Sequence, residues 1–300
     1  MSFTIKKPTM KLPIYWIYIL FLLPPFLLNR SDLSIICDLW HLAQLVIVCV
    51  MSLYYFVNYR ARNTIVNAVL CYYIVAIISS YLNGYSINTI KWDIASDLGI
   101  VLVIYLLFNK NKEKALYYLS KILWLYLLIN TLVMLIWPNG IASGRIGQIV
   151  WFLGGKNNIV PWILIGGGCI ILDSYERNKK MTFITYLKLA ICSVQAFLCD
   201  SSTAVVVMII LWGIYLINII VNNQKLLNFF MGGKRLFLLV AIGFVFVVFF
   251  TTRSNVLQEF SEWFGKDITF NGRTGIWIVA LNYIKDNPWF GAGPVLVFDM

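Results

Sequence analysis

Charged residues are scarce in this 300-residue chain, at 12% of the total, whereas hydrophobic residues make up 60%. Soluble proteins average about 25% charged residues, so the composition excludes a water-soluble enzyme or binding module. Repeated apolar runs of about 20 residues instead predict helices that cross the hydrocarbon core of a membrane, which is roughly 30 Å thick. The predicted fold class is therefore an all-α, polytopic helical membrane protein.

Residues that bind metals are also few, with one histidine and six cysteines. The cysteines fall in or at the ends of apolar segments, and none has the CxxC spacing of a metal or redox site. No GxGxxG or phosphate-loop pattern surrounds Gly166, Gly167 and Gly168, so these glycines are predicted to allow close helix packing. We expect neither a metal nor a cofactor.

Apolar segments occur along most of the chain and predict about nine or ten transmembrane helices within a single membrane domain, residues 1–300. The first segment has no small-residue cleavage site after it, so it is interpreted as a retained helix rather than a signal peptide. The nine clear segments are residues 12–29, 33–57, 63–83, 90–108, 115–137, 158–174, 181–199, 203–221 and 236–251.

Basic residues alternate between the predicted loops, and every second loop, starting with the N-terminus, contains several Lys or Arg. Cytoplasmic loops are enriched in these residues, so the pattern predicts a cytoplasmic N-terminus. The net charge of +11 then belongs mainly to the cytoplasmic face and does not indicate nucleic-acid binding.

Three polar segments are left on the outer face: residues 138–157, the turn at 199–202, and residues 252 onward. Within residues 252–294, mixed charges and aromatics predict a lid at the lipid–water boundary. A short helix follows, capped by Asn271 and ending before Pro288. At about 14 residues it would be about 20 Å long, too short to span the core, so we expect it to lie in the interface.

Two arginines stand out in these outer segments, because Arg145 and Arg273 each follow a glycine. A guanidinium group offers a planar fork of donors that matches phosphate oxygens and stays charged. Phosphorylated lipids are abundant at a bilayer surface, so both side chains are candidates for binding a lipid-linked phosphate. The alternative is that they extend to the headgroups as membrane anchors.

The stretch "NGRTGIWIVALNYIKDNPWFGAGP" resembles the signature of the O-antigen polymerase and ligase superfamily, the Wzy/WaaL-like proteins. In that signature, Gly-Arg leads a short helix with a Trp and ends in Pro-x-x-Gly-x-Gly. "GRIGQIVWFLGGKNNIVPW" is similar to an outer loop of the family, and "CDSSTAVVV" resembles its Ser-x-Ser/Thr element. The matching signature residues are Gly272, Arg273, Trp277, Pro288, Gly291 and Gly293.

The sequence departs from the family pattern in two places. Ser202 occupies a position where family members commonly have Arg. The family signature usually continues with a His-containing outer segment and further helices, whereas this sequence stops at Met300. We therefore expect the chain to be truncated at its C-terminus relative to the family.

The resemblance implies a metal-independent, GT-C-like glycosyltransferase of the bacterial cytoplasmic (inner) membrane. It would polymerise undecaprenyl-diphosphate-linked repeat units into capsule, exopolysaccharide or O-antigen at the outer face. Implied partners are the lipid-linked glycan donor and acceptor, membrane lipids, and a chain-length regulator and flippase of the same pathway. The alternatives are an O-antigen-type ligase, a flippase or transporter of the lipid-linked sugar, and an inactive truncated remnant. A transporter predicts repeated halves, and no internal repeat is detected.

Glycan transfer needs a stabilised leaving diphosphate and a base for the acceptor hydroxyl. Arg145 and Arg273 fit the first role. Asp200 and Asp97 are weaker candidates for catalysis; the alternatives are that Asp200 caps a helix and that Lys91 neutralises Asp97 or its neighbour Asp93. The lone His41 is expected to be hydrogen-bonded between helices. The resemblance further implies substrate contacts from Gly272, Trp277, Asn157, Asn158, Ser201 and Thr203.

Overall fold

Apolar helices dominate the part of the chain that the computed structural model describes. The described residues are 19–21, 23–29, 33–59, 63–86, 90–143, 149–178, 181–221, 279, 282–283 and 285–289. The chain divides into two compact units. The first contains Met1–Leu70 and Lys91–Leu216, and the second contains Cys71–Ile90 and Ile217–Met300.

Four of the described helices are long and apolar enough to cross a membrane: Ser34–Asn58, Thr64–Leu82, Lys112–Ile136 and Lys156–Asn178. Phe183–Leu198 and Thr203–Gly213 are shorter apolar helices. This confirms a mostly helical integral membrane protein. The count of nine or ten spans stays a prediction, and the segment 236–251 lies outside the described residues. The helices are α1 (Ser34–Tyr59), α2 (Thr64–Leu82), α3 (Gly99–Lys110), α4 (Lys112–Ile136), α5 (Lys156–Asn178), α6 (Phe183–Leu198) and α7 (Ser202–Val221).

The first predicted span, residues 12–29, does not continue as one α-helix. Residues 19–21 are α-helical, whereas Phe26–Asn29 form a 3₁₀ helix. Pro24 and Pro25 lie between them and explain the break, because proline lacks the N–H donor that an α-helix interior requires. The predicted boundary at residue 29 is therefore wrong for a continuous α-helix.

The directions of α1, the segment 91–110 and α4 determine which of their ends lie together. α1 runs parallel to the segment 91–110. The ring centres of His41 and Trp92 lie 4.5 Å apart near the start of both elements, and those of Tyr55 and Tyr105 lie 5.7 Å apart further along both. α3 and α4 form a hairpin through Asn111, whose side chain accepts a hydrogen bond of 2.9 Å from the backbone N–H of Lys114.

α5 runs antiparallel to both α4 and α6. At one end of the α4–α5 pair, the Arg177 guanidinium lies over the Tyr117 ring. Nearer the other end of the pair, a Cβ on Gly166 would lie 2.6 Å from Leu127 Cδ1. The Thr185 hydroxyl donates to Ser174 Oγ at 2.8 Å between α5 and α6. We call the end of the first unit where α4 finishes and α5 begins the sheet end, and the opposite end the basic end.

The glycines of α5 allow the close packing predicted for two of them. A Cβ on Gly167 would lie 2.8 Å from Leu211 Cδ1 of α7, as a Cβ on Gly166 would crowd Leu127. Gly168 differs, since nothing lies within 4 Å of the corresponding position. Gly166 and Gly167 are therefore packing residues, which agrees with the sequence analysis.

In the second unit, the described C-terminal residues include the end of the predicted short helix. The Asn287 N–H donates to the Tyr283 carbonyl at 2.9 Å, and a turn follows at Pro288 and Trp289. The predicted end of the helix before Pro288 is thus confirmed. Its start at Asn271 and the rest of the lid lie outside the described residues.

Candidate functional site

A small antiparallel sheet occupies the outer segment between α4 and α5. Its strands are β1 (Ala142–Ser143), β2 (Ile149–Trp151) and β3 (Gly154–Gly155), in the order β1-β2-β3. Ser143 pairs with Ile149, so β1 and β2 flank residues 144–148. Arg145 belongs to that connection, which lies outside the described residues. The sheet was not predicted, since its strands are too short to show an alternating pattern.

A buried amide in α4 holds the sheet on the helices. The Asn130 Oδ1 accepts a hydrogen bond of 2.8 Å from the backbone N–H of Leu153, and Asn130 is fully buried. The Trp151 indole N–H donates to the Trp137 carbonyl at 3.1 Å. The Phe152 carbonyl accepts from the N–H of Leu27 at 3.2 Å, which ties the N-terminal segment to the same sheet.

Replacement of Asn130 by leucine is expected to loosen this sheet. Leucine has a similar size but cannot accept the Leu153 N–H, and a buried unpaired donor costs about 1–3 kcal/mol. The protein should unfold several degrees earlier in detergent, and backbone amides of residues 149–155 should exchange hydrogen for deuterium faster. Thr131→Val is the matched control, because the buried Thr131 hydroxyl bonds only to Leu127 of its own helix in the described contacts. Equal exchange in both variants would contradict the anchoring role.

The start of α5 is built directly on the last strand. Gly154 has φ +114, and a Cβ there would lie 2.8 Å from Asn158 Cβ. This close approach requires glycine, since the backbone conformation is rarely adopted by other residues. Lys156, Asn157 and Asn158 follow in the first turn of the helix and are exposed. Two amide side chains and an ammonium group are therefore presented at the sheet end.

The turn between α6 and α7 presents a carboxylate. Asp200 is exposed and has φ 47, and its N–H donates to the Phe197 carbonyl at 3.2 Å. Ser201 is buried, and its hydroxyl accepts from the Ala204 N–H at 3.4 Å, which makes Ser201 the cap of α7. This contact therefore does not support the alternative that Asp200 caps α7. Substrate contacts from Ser201 and the exposed Thr203 stay predictions.

The segment before α3 places a tryptophan and a carboxylate at the same end, where a histidine of α1 meets the tryptophan. The His41 ring stacks on Trp92 with an interplanar angle of 17°, and Lys91 Nζ lies 4.7 Å from the Trp92 ring centre. Asp97 is exposed in a π-helical turn, Ile94–Leu98, where the Ser96 hydroxyl donates to it at 3.4 Å. Aromatic faces beside carboxylates and hydroxyls suit a sugar. The side chain of Asp93 is not among those that the structure describes.

Helix direction places these groups at one end of the first unit. α5 begins and α6 ends there, because the two helices are antiparallel. The segment 91–98 and the start of α1 lie at that end too. Asp97, Asn157, Asn158, Asp200, Ser201 and Thr203 therefore all lie at the sheet end. Among the residues that the structure describes, no group of three His, Cys, Asp or Glu side chains forms a metal cluster.

An apolar cavity of about 260 Å³ lies farther along the same helices. It opens between α3, α4, α5 and the N-terminal segment, and Trp162 reaches it about two turns from the start of α5. Polar groups at the helix ends with an apolar cavity farther along the helices suit an amphipathic ligand. The lining residues are Ile19, Leu23, Ile100, Val103, Ile104, Leu119, Leu123, Pro161, Trp162 and Ile165.

The sequence analysis missed two residues of this end, Asn130 and Trp92. A single amide within the apolar run of α4 was the available signal for Asn130, because a buried polar group requires a partner. For Trp92 the signal was weaker, an aromatic between Lys91 and Asp93 in a predicted outer helix end. Of the residues predicted for the site, Arg145, Gly272, Arg273 and Trp277 lie outside the described part of the chain.

Comparison with known proteins bears on the predicted resemblance. No curated protein and no solved structure matches the chain. The family model for O-antigen ligase matches residues 187–299, which include the Gly-Arg stretch, the α6–α7 turn and all of α7. This match confirms the predicted resemblance to the O-antigen polymerase and ligase superfamily over residues 187–299.

Proposed function

We propose that this chain transfers glycans between lipid carriers as a polysaccharide polymerase of the bacterial cytoplasmic membrane. The observation that carries the proposal is the family match over residues 187–299, because it contains the Gly272–Arg273 pair. The glycan would leave undecaprenyl diphosphate and form a bond to the hydroxyl of an acceptor repeat unit. The products are a longer lipid-linked glycan and free undecaprenyl diphosphate, and the hydroxyl proton passes to a base.

The sheet end supplies the polar part of this proposed site. Arg145 and Arg273 would stabilise charge on the leaving diphosphate. The exposed carboxylates of Asp200 and Asp97 are the candidates for accepting the proton. Gly272, Trp277, Asn157, Asn158, Ser201 and Thr203 would contact the sugar or the phosphates.

The apolar cavity would hold part of the isoprenoid chain of the carrier. Its lining is hydrocarbon and indole, and its first lining residue on α5, Pro161, lies about one turn after the exposed amides at the start of that helix. An isoprenoid diphosphate has the same division into a long apolar chain and a charged head. In this arrangement the sheet end faces outward and the N-terminus is cytoplasmic. A chain-length regulator and a flippase of the same pathway would act with the protein.

A ligase that moves the finished glycan to another acceptor is the second candidate. The family model that matches residues 187–299 is described as O-antigen ligase, and this match does not distinguish ligation from polymerisation. Both reactions use the same donor and the same leaving group. The acceptor alone separates them.

Deletion of the gene in its own host distinguishes the two reactions. If the chain is the polymerase, the deletion strain should display surface glycan of one repeat unit instead of a ladder of lengths. If it is the ligase, long glycan should accumulate on undecaprenyl diphosphate and be absent from its final acceptor. Gel separation of surface glycan and extracted lipid-linked glycan reports both results. Normal glycan in both fractions would contradict both functions, and the intact gene supplied on a plasmid is the control.

A further inference from the structure

Three cations from three neighbouring helices converge at the basic end of the first unit. Lys121 lies on α4, Arg177 on α5 and Lys188 on α6. Lys121 Nζ lies 4.5 Å, and Arg177 Cζ 4.8 Å, from the centre of the Tyr117 ring. Lys188 Nζ lies 5.5 Å from the Trp124 ring centre and is within electrostatic range of both other cations. We call Lys121, Arg177 and Lys188 the cation cluster.

Among the described ion pairs, one carboxylate, Asp173 of α5, bonds to the cation cluster. Asp173 is 4% exposed and accepts hydrogen bonds from Nε and Nη2 of Arg177, the first at 2.8 Å. Asp173 can offset only one of the three positive charges. Like charges repel one another, so a second anion would stabilise the cluster.

The cation cluster lies toward the helix ends at the basic end, where phospholipid headgroups are expected in a spanning protein. Lys188 is five residues after the start of α6, which places it about 8 Å along the helix axis. The cluster is accessible, since Lys121 is exposed and the Arg177 side chain is 49% exposed. Leu125, one turn after Lys121 on α4, and Leu187, next to Lys188 on α6, are 47% and 53% exposed. The surface therefore offers positive charge together with apolar area.

We propose that the cation cluster binds the phosphate of an anionic phospholipid in the leaflet at the basic end. The Arg177 N–H groups that do not donate to Asp173 and the two ammonium groups would donate to phosphate oxygens, and the acyl chains would cover the apolar side chains beside them. Basic pockets between membrane helices bind anionic headgroups in this way. A zwitterionic lipid brings its own cation and is therefore a poorer ligand. Inorganic phosphate lacks the acyl chains that the apolar surface accommodates.

Native mass spectrometry of the full chain in detergent tests this proposal. The probes are phosphatidylglycerol and phosphatidylcholine with identical acyl chains. Wild type should bind phosphatidylglycerol about tenfold more tightly than phosphatidylcholine, and the double substitution Lys121→Gln with Lys188→Gln should remove most of this preference. The double substitution Lys121→Arg with Lys188→Arg should keep it, because the charge is retained. Lys112→Gln with Lys114→Gln, two exposed lysines in the first turn of α4, is the matched control and should also keep it.

Three results would overturn the proposal. The Gln double variant binding phosphatidylglycerol as tightly as wild type would show that the cluster is not the site. Equal binding of the two lipids would remove the anionic preference. Full displacement of the lipid by excess inorganic phosphate would assign the cluster to a free anion. If the Gln double variant unfolds early, the two single substitutions decide, each with an expected loss of about threefold or more.

Discussion

Replacement of Arg273 by alanine is expected to abolish glycan transfer by this chain, and replacement of Arg145 is expected to do the same. Removal of one preorganised donor to a developing negative charge typically lowers the rate by about 100-fold or more. Alanine at either position would leave the departing diphosphate with one fewer guanidinium group. Membrane insertion should be unaffected, since each substitution removes a polar group from a predicted outer segment.

The length of surface glycan is measured in a deletion strain that carries each arginine variant. An immunoblot of the membrane fraction verifies that the variant is inserted. Arg273→Lys should retain only part of the activity, because an ammonium group keeps the charge but loses the bidentate fork. Arg62→Ala is the matched control, since Arg62 lies in a predicted cytoplasmic loop and its loss should leave transfer intact. Normal glycan length in both outer variants, Arg145→Ala and Arg273→Ala, would refute the phosphate-binding role.

Gly154→Ala is expected to destabilise the protein and impair transfer together. The φ of +114 is unfavourable for alanine, and the added Cβ would approach Asn158 Cβ to 2.8 Å. Backbone strain of this kind costs about 1–3 kcal/mol, and the contact with Asn158 adds to it. The start of α5 must then shift away from β3, which moves Asn157 and Asn158. We expect the thermal midpoint in detergent to fall by about 5–10 °C and transfer to fall more than the amount of inserted protein.

Gly168→Ala is the control for that substitution. Gly168 lies in the interior of α5, and nothing lies within 4 Å of an added Cβ. Alanine favours a helix interior over glycine by about 1 kcal/mol, so this variant should be as stable as wild type or more stable. If both alanine variants have wild-type midpoints, the tight junction between β3 and α5 is not a determinant of the fold.

Apolar patterning predicted the helices because a membrane span needs about 20 apolar residues wherever it lies. The segment 115–137 corresponds to α4, Lys112–Ile136. The helix starts three residues earlier because Asn111 caps it, and a cap is a polar signal that hydropathy does not weigh. Residues 12–29 were extended too far because hydropathy also ignores the break at Pro24 and Pro25.

The site was less predictable because it depends on contacts between distant residues. The motifs placed Asn157, Asn158, Asp97 and Asp200 in outer segments, and helix direction brings them to one end. The sequence could not show which side chain caps α7, since Asp200 and Ser201 are both favourable N-cap residues. The structure gives that role to Ser201. The sheet depends on pairing of two or three residues per strand, a length at which no pattern is visible.

The sheet between α4 and α5 also bears on the order in which the protein assembles during synthesis. Its three strands lie within residues 142–155, and its anchors, Asn130 and Trp137, precede it in the chain. Each of these partners has been synthesised before α5 is complete. Contacts between residues close in sequence form fast, because little chain entropy is lost in closing short loops. The strands that flank Arg145 therefore need no contact from α6 or α7 in order to pair.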